Sequence, residues 1–442
     1  MPTTPQTPPP AYFLSLSLEN VRSFGEKQTI SFARPDGRPA QWTIILGDNG
    51  VGKTTVLKAL AAIGPVANPN WEGTYGTLYF DSWNYKWEPT RDEVKTTKID
   101  FNIGTGLHLD KMTKTHFKPF KTYGNLIIDW DEGIPGKQEG INISDMTGFF
   151  CLGYGAGRTI GSSTLGRKFT SKEEFASLFD DRADLLNPEE WFLQMEYSSL
   201  KKDKQAGKAL EQVRQVLLQV LPDITDIRIS SKGHQQFLEL ESPYGWVRLR
   251  EMSLGYQTLV VWLTDFASKL FLRYPDSPNP LEEPAIVLID EIDLHLHPSW
   301  QRKLLGFLSG IFKNTQFIAT AHSPLVVQAA GDEGANVVLL RREGDQTVVV
   351  TDVEDVRGWR VDQILTSSFY NLETARSLET EKKLERQAAL LNKKKLTAKD
   401  RQELDALTLE LEGQPMGSAG AEAEEEALLR QIAERLGTGT DK

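Results

Sequence analysis

Residues 47–54 read Gly47-Asp48-Asn49-Gly50-Val51-Gly52-Lys53-Thr54, a match to G-x-x-x-x-G-K-[ST]. The residue types explain the spacing. Glycine lets a backbone curl without side-chain clash, so successive N–H groups can face one anion. A helix that starts where such a loop ends adds its positive N-terminal end. Asn49, Gly50 and Gly52 would form the cradle, and Lys53 would reach the terminal phosphates. Thr54, followed by Thr55, would open the helix and offer a hydroxyl to a divalent cation. This is the chemistry of polyphosphate binding.

Three further segments could complete a reaction. In AIVLIDEID, residues 285–293, an apolar run ends at Asp290 and Glu291. Open α/β sheets hold ligands at that end of a strand. Asp290 suits the shell of a cation such as Mg²⁺, and Glu291 suits a base that orients and deprotonates water. Thr320-Ala321-His322-Ser323-Pro324 follows another short apolar run, and His322 could hydrogen-bond a terminal phosphate oxygen. In Glu251-Met252-Ser253-Leu254-Gly255-Tyr256-Gln257, Ser253 and Gly255 open a long helical pattern whose N-terminus offers a second anion site. Arg158, in the glycine-rich stretch Tyr154-Gly155-Ala156-Gly157-Arg158, could touch a phosphate or pair with a carboxylate.

These groups need a scaffold of buried strands and covering helices. Short apolar runs at 42–46, 285–289 and 316–320 predict buried strands, and 149–154 a strand entering a glycine loop. Residues 12–18 and 28–32 alternate like a strand pair, and 337–340 with 347–351 predict a hairpin. Shorter strand-like pieces lie at 77–79, 99–103 and 126–130, and three more at 224–229, 236–240 and 246–249. Helical spacing marks 56–63, 187–221 with a break near Gly207, 251–271, 300–312 and a helix from Pro324. Residues 376–412, with Leu384, Leu391, Leu404 and Leu411 in a Lys/Glu-rich background, predict a helix pair broken near 396–397. The fold class is α/β, a mixed sheet flanked by helices.

Composition bounds the rest. The chain has 442 residues and a net charge of −11, so its overall field does not favour nucleic acid, and any DNA contact needs a local basic patch. Lys111, Lys114, Lys118 and Lys121, and Lys393, Lys394, Lys395 and Lys399, are the candidates. The single cysteine, Cys151, allows no internal disulfide and no thiolate zinc cluster. No apolar run approaches the ~20 residues of a spanning helix, and the start lacks the basic and apolar segments of a signal peptide. A cytoplasmic protein without membrane contact is the expectation.

Together the segments resemble the ATP-binding-cassette class in its SMC, RecF and OLD-like branch. Residues 47–54 resemble Walker A, 285–291 Walker B, 253–257 the signature motif and His322 the switch histidine. Leu294-His295-Leu296-His297-Pro298 is similar to the D-loop variant of OLD- and RecF-like ATPases, and 18–32 to the first hairpin of that branch. No glutamine stands out as a Q-loop residue. The resemblance implies a P-loop ATPase head that uses ATP and Mg²⁺. It also implies a head-to-tail dimer, or a higher homo-oligomer, in which Ser253 and Gly255 of one copy cap the nucleotide of the other.

Length then separates the branches. The interval between Lys53 and Ser253 is too poor in heptads for an SMC arm, which predicts a compact head with a short helical insertion. The segment after Gly358 shows no carboxylate cluster for a nuclease. A head with a short helical tail resembles PtuA-like anti-phage ATPases of Septu and retron systems, which implies an HNH-type nuclease partner. The competing expectations are an AriA-type ATPase holding a toxic effector, a RecF-like DNA-repair clamp, or a scaffold that binds ATP without hydrolysis. The expected organisation is a disordered tail at 1–11, an N-terminal lobe at 12–150, an insertion with a helical part at 151–250, a C-terminal lobe at 251–357, and a helical partner or oligomerisation region at 358–442.

Overall fold

A computed structural model describes residues 10–62, 96–105, 109, 123–129, 138–139, 148–161, 174–233, 235–350, 353–370, 372, 374–393 and 396–412. The strand expected at 77–79 and the lysines at 111, 114, 118, 121, 394 and 395 lie outside them, as do residues 413–442 of the expected helical C-terminal region. The strands are β1 (Ala11–Glu19), β2 (Gln28–Ser31), β3 (Trp42–Leu46), β4 (Thr96–Thr105), β5 (Tyr123–Asp129), β6 (Gln138–Glu139) and β7 (Cys151–Tyr154). They continue as β8 (Asp226–Lys232), β9 (Gln235–Ser242), β10 (Gly245–Arg248), β11 (Ala285–Ile289), β12 (Thr315–Thr320), β13 (Asn336–Glu343) and β14 (Gln346–Val350). The helices are α1 (Lys53–Ala62), α2 (Ala176–Phe179), α3 (Pro188–Leu200), α4 (Lys204–Val220), α5 (Leu254–Arg273) and α6 (Pro298–Gln301). Then come α7 (Leu304–Ile311), α8 (Pro324–Asp332), α9 (Val361–Thr366), α10 (Leu378–Leu391) and α11 (Ala398–Glu412).

The central sheet has the order β14-β13-β3-β12-β11-β7. All neighbours run parallel except the β13–β14 hairpin at one edge. Its strands are short and apolar because both faces are covered. Alternate side chains serve two cores: Ile44, Leu46, Val287 and Ile289 face one, and Ile45, Ile286, Leu288 and Ile318 the other. Trp42 stacks on Phe317 with ring centroids 4.3 Å apart, which fixes β3 beside β12 in the first core.

The second core is roofed by an antiparallel sheet of order β2-β1-β4-β5-β6. A buried side chain joins the two sheets. Gln316 on β12 accepts from the Phe13 N–H at 2.8 Å and donates to the Phe13 carbonyl at 2.8 Å, so β1 is held like a strand partner by an amide side chain. Both groups would otherwise be unpaired inside the protein.

The expected helix at 187–221 is a hairpin, α3 and α4, and its break falls at 201–203 rather than at Gly207. Lys202 adopts φ 69° there, and the Asp203 carboxylate caps α4 by accepting from the N–H groups of Gln205 and Ala206. Gly207 lies inside α4, where a Cβ would come within 2.8 Å of Ser199 Oγ, so it is a helix-packing glycine. The meander β8-β9-β10 follows and leads through a short 3₁₀ turn into α5.

The chain divides into a unit spanning Met1–Tyr370 and another spanning Asn371–Lys442. Residues 358–370, grouped with the tail by composition, belong to the first: Ile364 and Phe369 are buried in its core. In the second, α10 and α11 form an antiparallel pair. Arg386 donates twice to Glu403 at 2.7 and 2.9 Å, and Lys393 pairs with Asp400 at 2.7 Å, so this lysine is engaged within its own hairpin. Leu390 is buried in place of the expected Leu391, which is 64% exposed.

Replacing Gln316 with Leu should lower stability by about 2–4 kcal/mol, because two buried backbone groups of Phe13 lose their partners. Urea unfolding of the full chain measures it, and a change below about 0.5 kcal/mol would show that Gln316 does not join the sheets.

Candidate functional site

Register brings the chemistry to one edge. Ile45 lies opposite Thr320, and Ile289 opposite both Ala319 and Tyr154, so β3, β12, β11 and β7 end level with one another. One residue further on, each strand delivers a segment singled out by sequence: Gly47, Ala321, Asp290 and Gly155.

In the loop before α1, Gly47, Gly50 and Gly52 have φ of 143°, 80° and 91°, conformations that exclude most side chains. A Cβ on Gly52 would also reach Ser23 Oγ at 2.5 Å. Lys53, nearly buried, turns back and donates to the carbonyls of Gly47 at 2.7 Å and Asp48 at 2.9 Å. Burial lowers its pKa from the ordinary lysine value, against the pull of Asp290, Glu291, Asp48 and Asp293.

The centre of the cluster is Asp290, which is nearly buried. Its Oδ2 accepts from the Thr54 hydroxyl at 2.7 Å and its Oδ1 from the Thr320 hydroxyl at 2.6 Å. Thr320 Oγ1 in turn accepts from the Glu291 N–H at 2.7 Å. Glu291 has φ 51°, the left-handed region, so the chain turns sharply as it leaves β11. Arg158, 5% exposed, donates from Nη2 to the Glu291 main-chain carbonyl at 2.7 Å, and its Nε is buried without a partner. Burial brings its pKa down to about 10, with Asp290, Asp293 and Glu291 opposing the fall. The sequence left a choice between phosphate and carboxylate for Arg158; the geometry supplies a third partner, a backbone carbonyl.

His322 is carried at the edge by main-chain contacts. Asp293 Oδ2 accepts from the N–H groups of His322 at 2.9 Å and Ser323 at 2.6 Å, and the Tyr370 hydroxyl donates to the His322 carbonyl at 2.9 Å. Ser323 caps α8 by accepting from the Leu325 N–H, and donates to Gln301 Oε1 at 2.6 Å. Ser253 stands apart from the cluster. It sits at the start of α5, exposed, and its side chain caps nothing. Gly255, two residues on in the same first turn, is packed so closely on the segment after Glu291 that a Cβ would meet the His295 carbonyl at 2.6 Å.

The donor set fits a hard cation beside a polyphosphate. Thr54 and Asp290 present oxygens side by side at the start of α1, the ligand type that Mg²⁺ prefers. Among the described residues no group of three or more His, Cys, Asp or Glu could hold a metal alone. Phosphate oxygens and water would therefore complete such a shell.

Thr320, Asp293 and Tyr370 were not picked out as site residues by sequence. Asp293 stands three residues after Asp290 in the same carboxylate-rich turn, which was a usable signal. Thr320 and Tyr370 had none, since each acts through a partner distant in the chain.

Residues 162–328 match the family described as "AAA domain, putative AbiEii toxin, Type IV TA system", and residues 15–63 match one described as "AAA domain". The Septu protein PtuA of Bacillus mycoides is 26% identical over 376 residues, covering 81% of this chain and 44% of that protein. The Retron Ec83 probable ATPase of Escherichia coli is 36% identical over 135 residues, 30% of this chain and 24% of that one. The chain is a relative of the PtuA and retron ATPases. It spans less than half the length of either of these relatives. The SMC head domain of Thermotoga maritima is 15% identical, covering 77% of this chain and 99% of that chain, with a TM-score of 0.38. The α/β architecture of this chain, with the AAA-domain matches at 15–63 and 162–328, is that of a P-loop ATPase head. Among its described residues no helix is long and apolar enough to cross a membrane.

Substituting Asp293 with Ala should release the 321–323 segment. We expect faster amide exchange in peptides covering 315–330 and a stability loss of about 1–3 kcal/mol from two unpaired N–H groups. Unaltered exchange in those peptides would show that Asp293 does not hold this loop.

Proposed function

We propose that the chain binds Mg–ATP at residues 47–54, hydrolyses it, and uses the cycle to open and close a dimer that regulates a partner effector in anti-phage defence. The observation that carries this is the convergence of Lys53, Thr54, Asp290, Thr320 and Glu291 at one strand edge, the last four joined by hydrogen bonds of 2.6–2.7 Å. The loop amides from Asn49 to Thr55 and Lys53 bind the phosphates. Lys53 exchanges its two loop carbonyls for phosphate oxygens. Mg²⁺, held by Thr54 and Asp290, supplies charge neutralisation on the phosphate oxygens when bound. Glu291 orients water and accepts its proton, and His322 donates to a γ-phosphate oxygen.

The second copy enters through α5. Ser253 is exposed with its hydroxyl uncommitted to capping, and Leu254 beside it is 58% exposed at the same helix tip. A helix N-terminus of this kind offers N–H groups and a hydroxyl to an anion presented from outside. In the proposed dimer Ser253 and Gly255 of each copy meet the γ-phosphate held by the other. ATP and ADP then differ in what they join together, the differential contact that a two-state clamp needs.

PtuA and the retron ATPases, matched over part of their length, support the assignment to defence. An HNH-type nuclease is the proposed effector, the cytoplasm the proposed compartment, and DNA a candidate ligand. The hairpin of α10 and α11 is the proposed contact region for the effector.

Glu291→Gln should keep ATP binding while phosphate release falls about 10²–10⁴-fold. Light scattering should show that variant accumulating as a dimer with Mg–ATP, and Ser253→Arg remaining monomeric while still binding nucleotide. Equal dimer fractions in all three proteins would refute the sandwich, and a wild type that binds Mg–ATP but releases no phosphate would refute the hydrolase.

A further inference from the structure

We infer that Arg158 is a positioning residue that aims the Glu291 carboxylate by holding its main-chain carbonyl; this rests on the proposal that Glu291 is the base of an ATP hydrolase. The whole backbone unit of Glu291 is gripped by side chains from the two strand ends that flank β11. Its N–H donates to Thr320 Oγ1 at 2.7 Å on the β12 side. Its carbonyl accepts from Arg158 Nη2 at 2.7 Å on the β7 side. With both peptide groups fixed and φ held at 51°, the direction of the Cα–Cβ bond is set.

The chemistry of Arg158 favours this role over its alternatives. A guanidinium at 5% exposure normally finds several acceptors, and this one has a single acceptor among the described residues, the Glu291 carbonyl. Asp290, Glu291 and Asp293 stabilise its charge electrostatically, yet none of their carboxylates lies within ion-pair distance among the described residues. The one guanidinium hydrogen bond goes to a carbonyl. Gly155 and Gly157 let the loop lie close enough to deliver it, because a Cβ on either would come within 2.0 Å of the Ser177 carbonyl or 2.6 Å of the Asp181 carbonyl. The glycine-rich stretch is thus built around backbone approach, and its product is the placement of one arginine against Glu291.

The test uses the full chain, mant-ATP with Mg²⁺ for affinity, and phosphate release for turnover. Arg158→Ala should keep mant-ATP affinity within about threefold of wild type and lower kcat at least about tenfold. Arg158→Lys keeps a donor on a long stem and should recover kcat at least about threefold over Arg158→Ala, with a wild-type unfolding midpoint. The Lys variant therefore decides the matter if the Ala variant unfolds. An affinity loss of about tenfold for mant-ATP with mant-ADP affinity unchanged would make Arg158 a phosphate ligand and overturn the inference. Wild-type kcat in the Ala variant would overturn it too, leaving the hydrolase intact. A wild type with no phosphate release, alone or with DNA, would remove the hydrolase and this inference together.

Discussion

The Asp290 carboxylate, held between the hydroxyls of Thr54 and Thr320, is the interaction on which the rest of the site depends. It ties the first turn of α1 to the ends of β11 and β12, three elements brought together from across 267 positions of sequence (54 to 320). A nearly buried carboxylate needs such donors, because desolvation without hydrogen bonds would be costly. The same two bonds fix the phosphate loop relative to the turn that carries Glu291. These bonds are all made within the chain, the kind of fixed arrangement by which a preorganised electrostatic site avoids reorganisation during reaction.

Around that centre, the sharp features of the backbone are spent on aim. Left-handed conformations at non-glycine residues cost of order 1 kcal/mol or more and persist where the surroundings over-determine them. Glu291 and His295 both have them, at φ 51° and 63°. Thr320 and Arg158 hold the first, and the close approach of Gly255 packs α5 onto the second. In the proposed dimer this packing joins the helix tip that reads the partner's nucleotide to the turn that carries the chain's own base. A γ-phosphate contact at Ser253 could thereby be felt at Glu291 in the same subunit, through packed groups rather than a hinge.

The two sheets give this edge its stiffness. Parallel strands covered on both faces resist sliding because each side chain is committed to one of two cores, and a shift by one residue would exchange them. Gln316 adds a polar tie between the sheets at the far end of β12 from Thr320, so that strand is held at both ends. The α10–α11 hairpin is held together by exposed ion pairs more than by a buried seam, with Leu390 and Leu411 its buried leucines. Such pairs contribute little each.

Sequence by itself determined the parts whose chemistry is local. Glycine spacing, Lys53 and Thr54 define a phosphate loop because backbone freedom and reach are properties of consecutive residues. An apolar run ending in Asp290-Glu291 defines a strand end for the same reason. Only the tertiary structure decided what these residues touch. Thr320 joins Asp290 to Glu291, Tyr370 reaches the His322 carbonyl, and Arg158 meets the Glu291 backbone oxygen rather than a carboxylate. The break in the α3–α4 hairpin also moved from Gly207 to the Asp203 cap. A glycine's meaning depends on the surface facing it, here Ser199 of the neighbouring helix. Hydrogen bonds between residues hundreds of positions apart leave no periodic trace, so strand order and register had to be known before they could be seen.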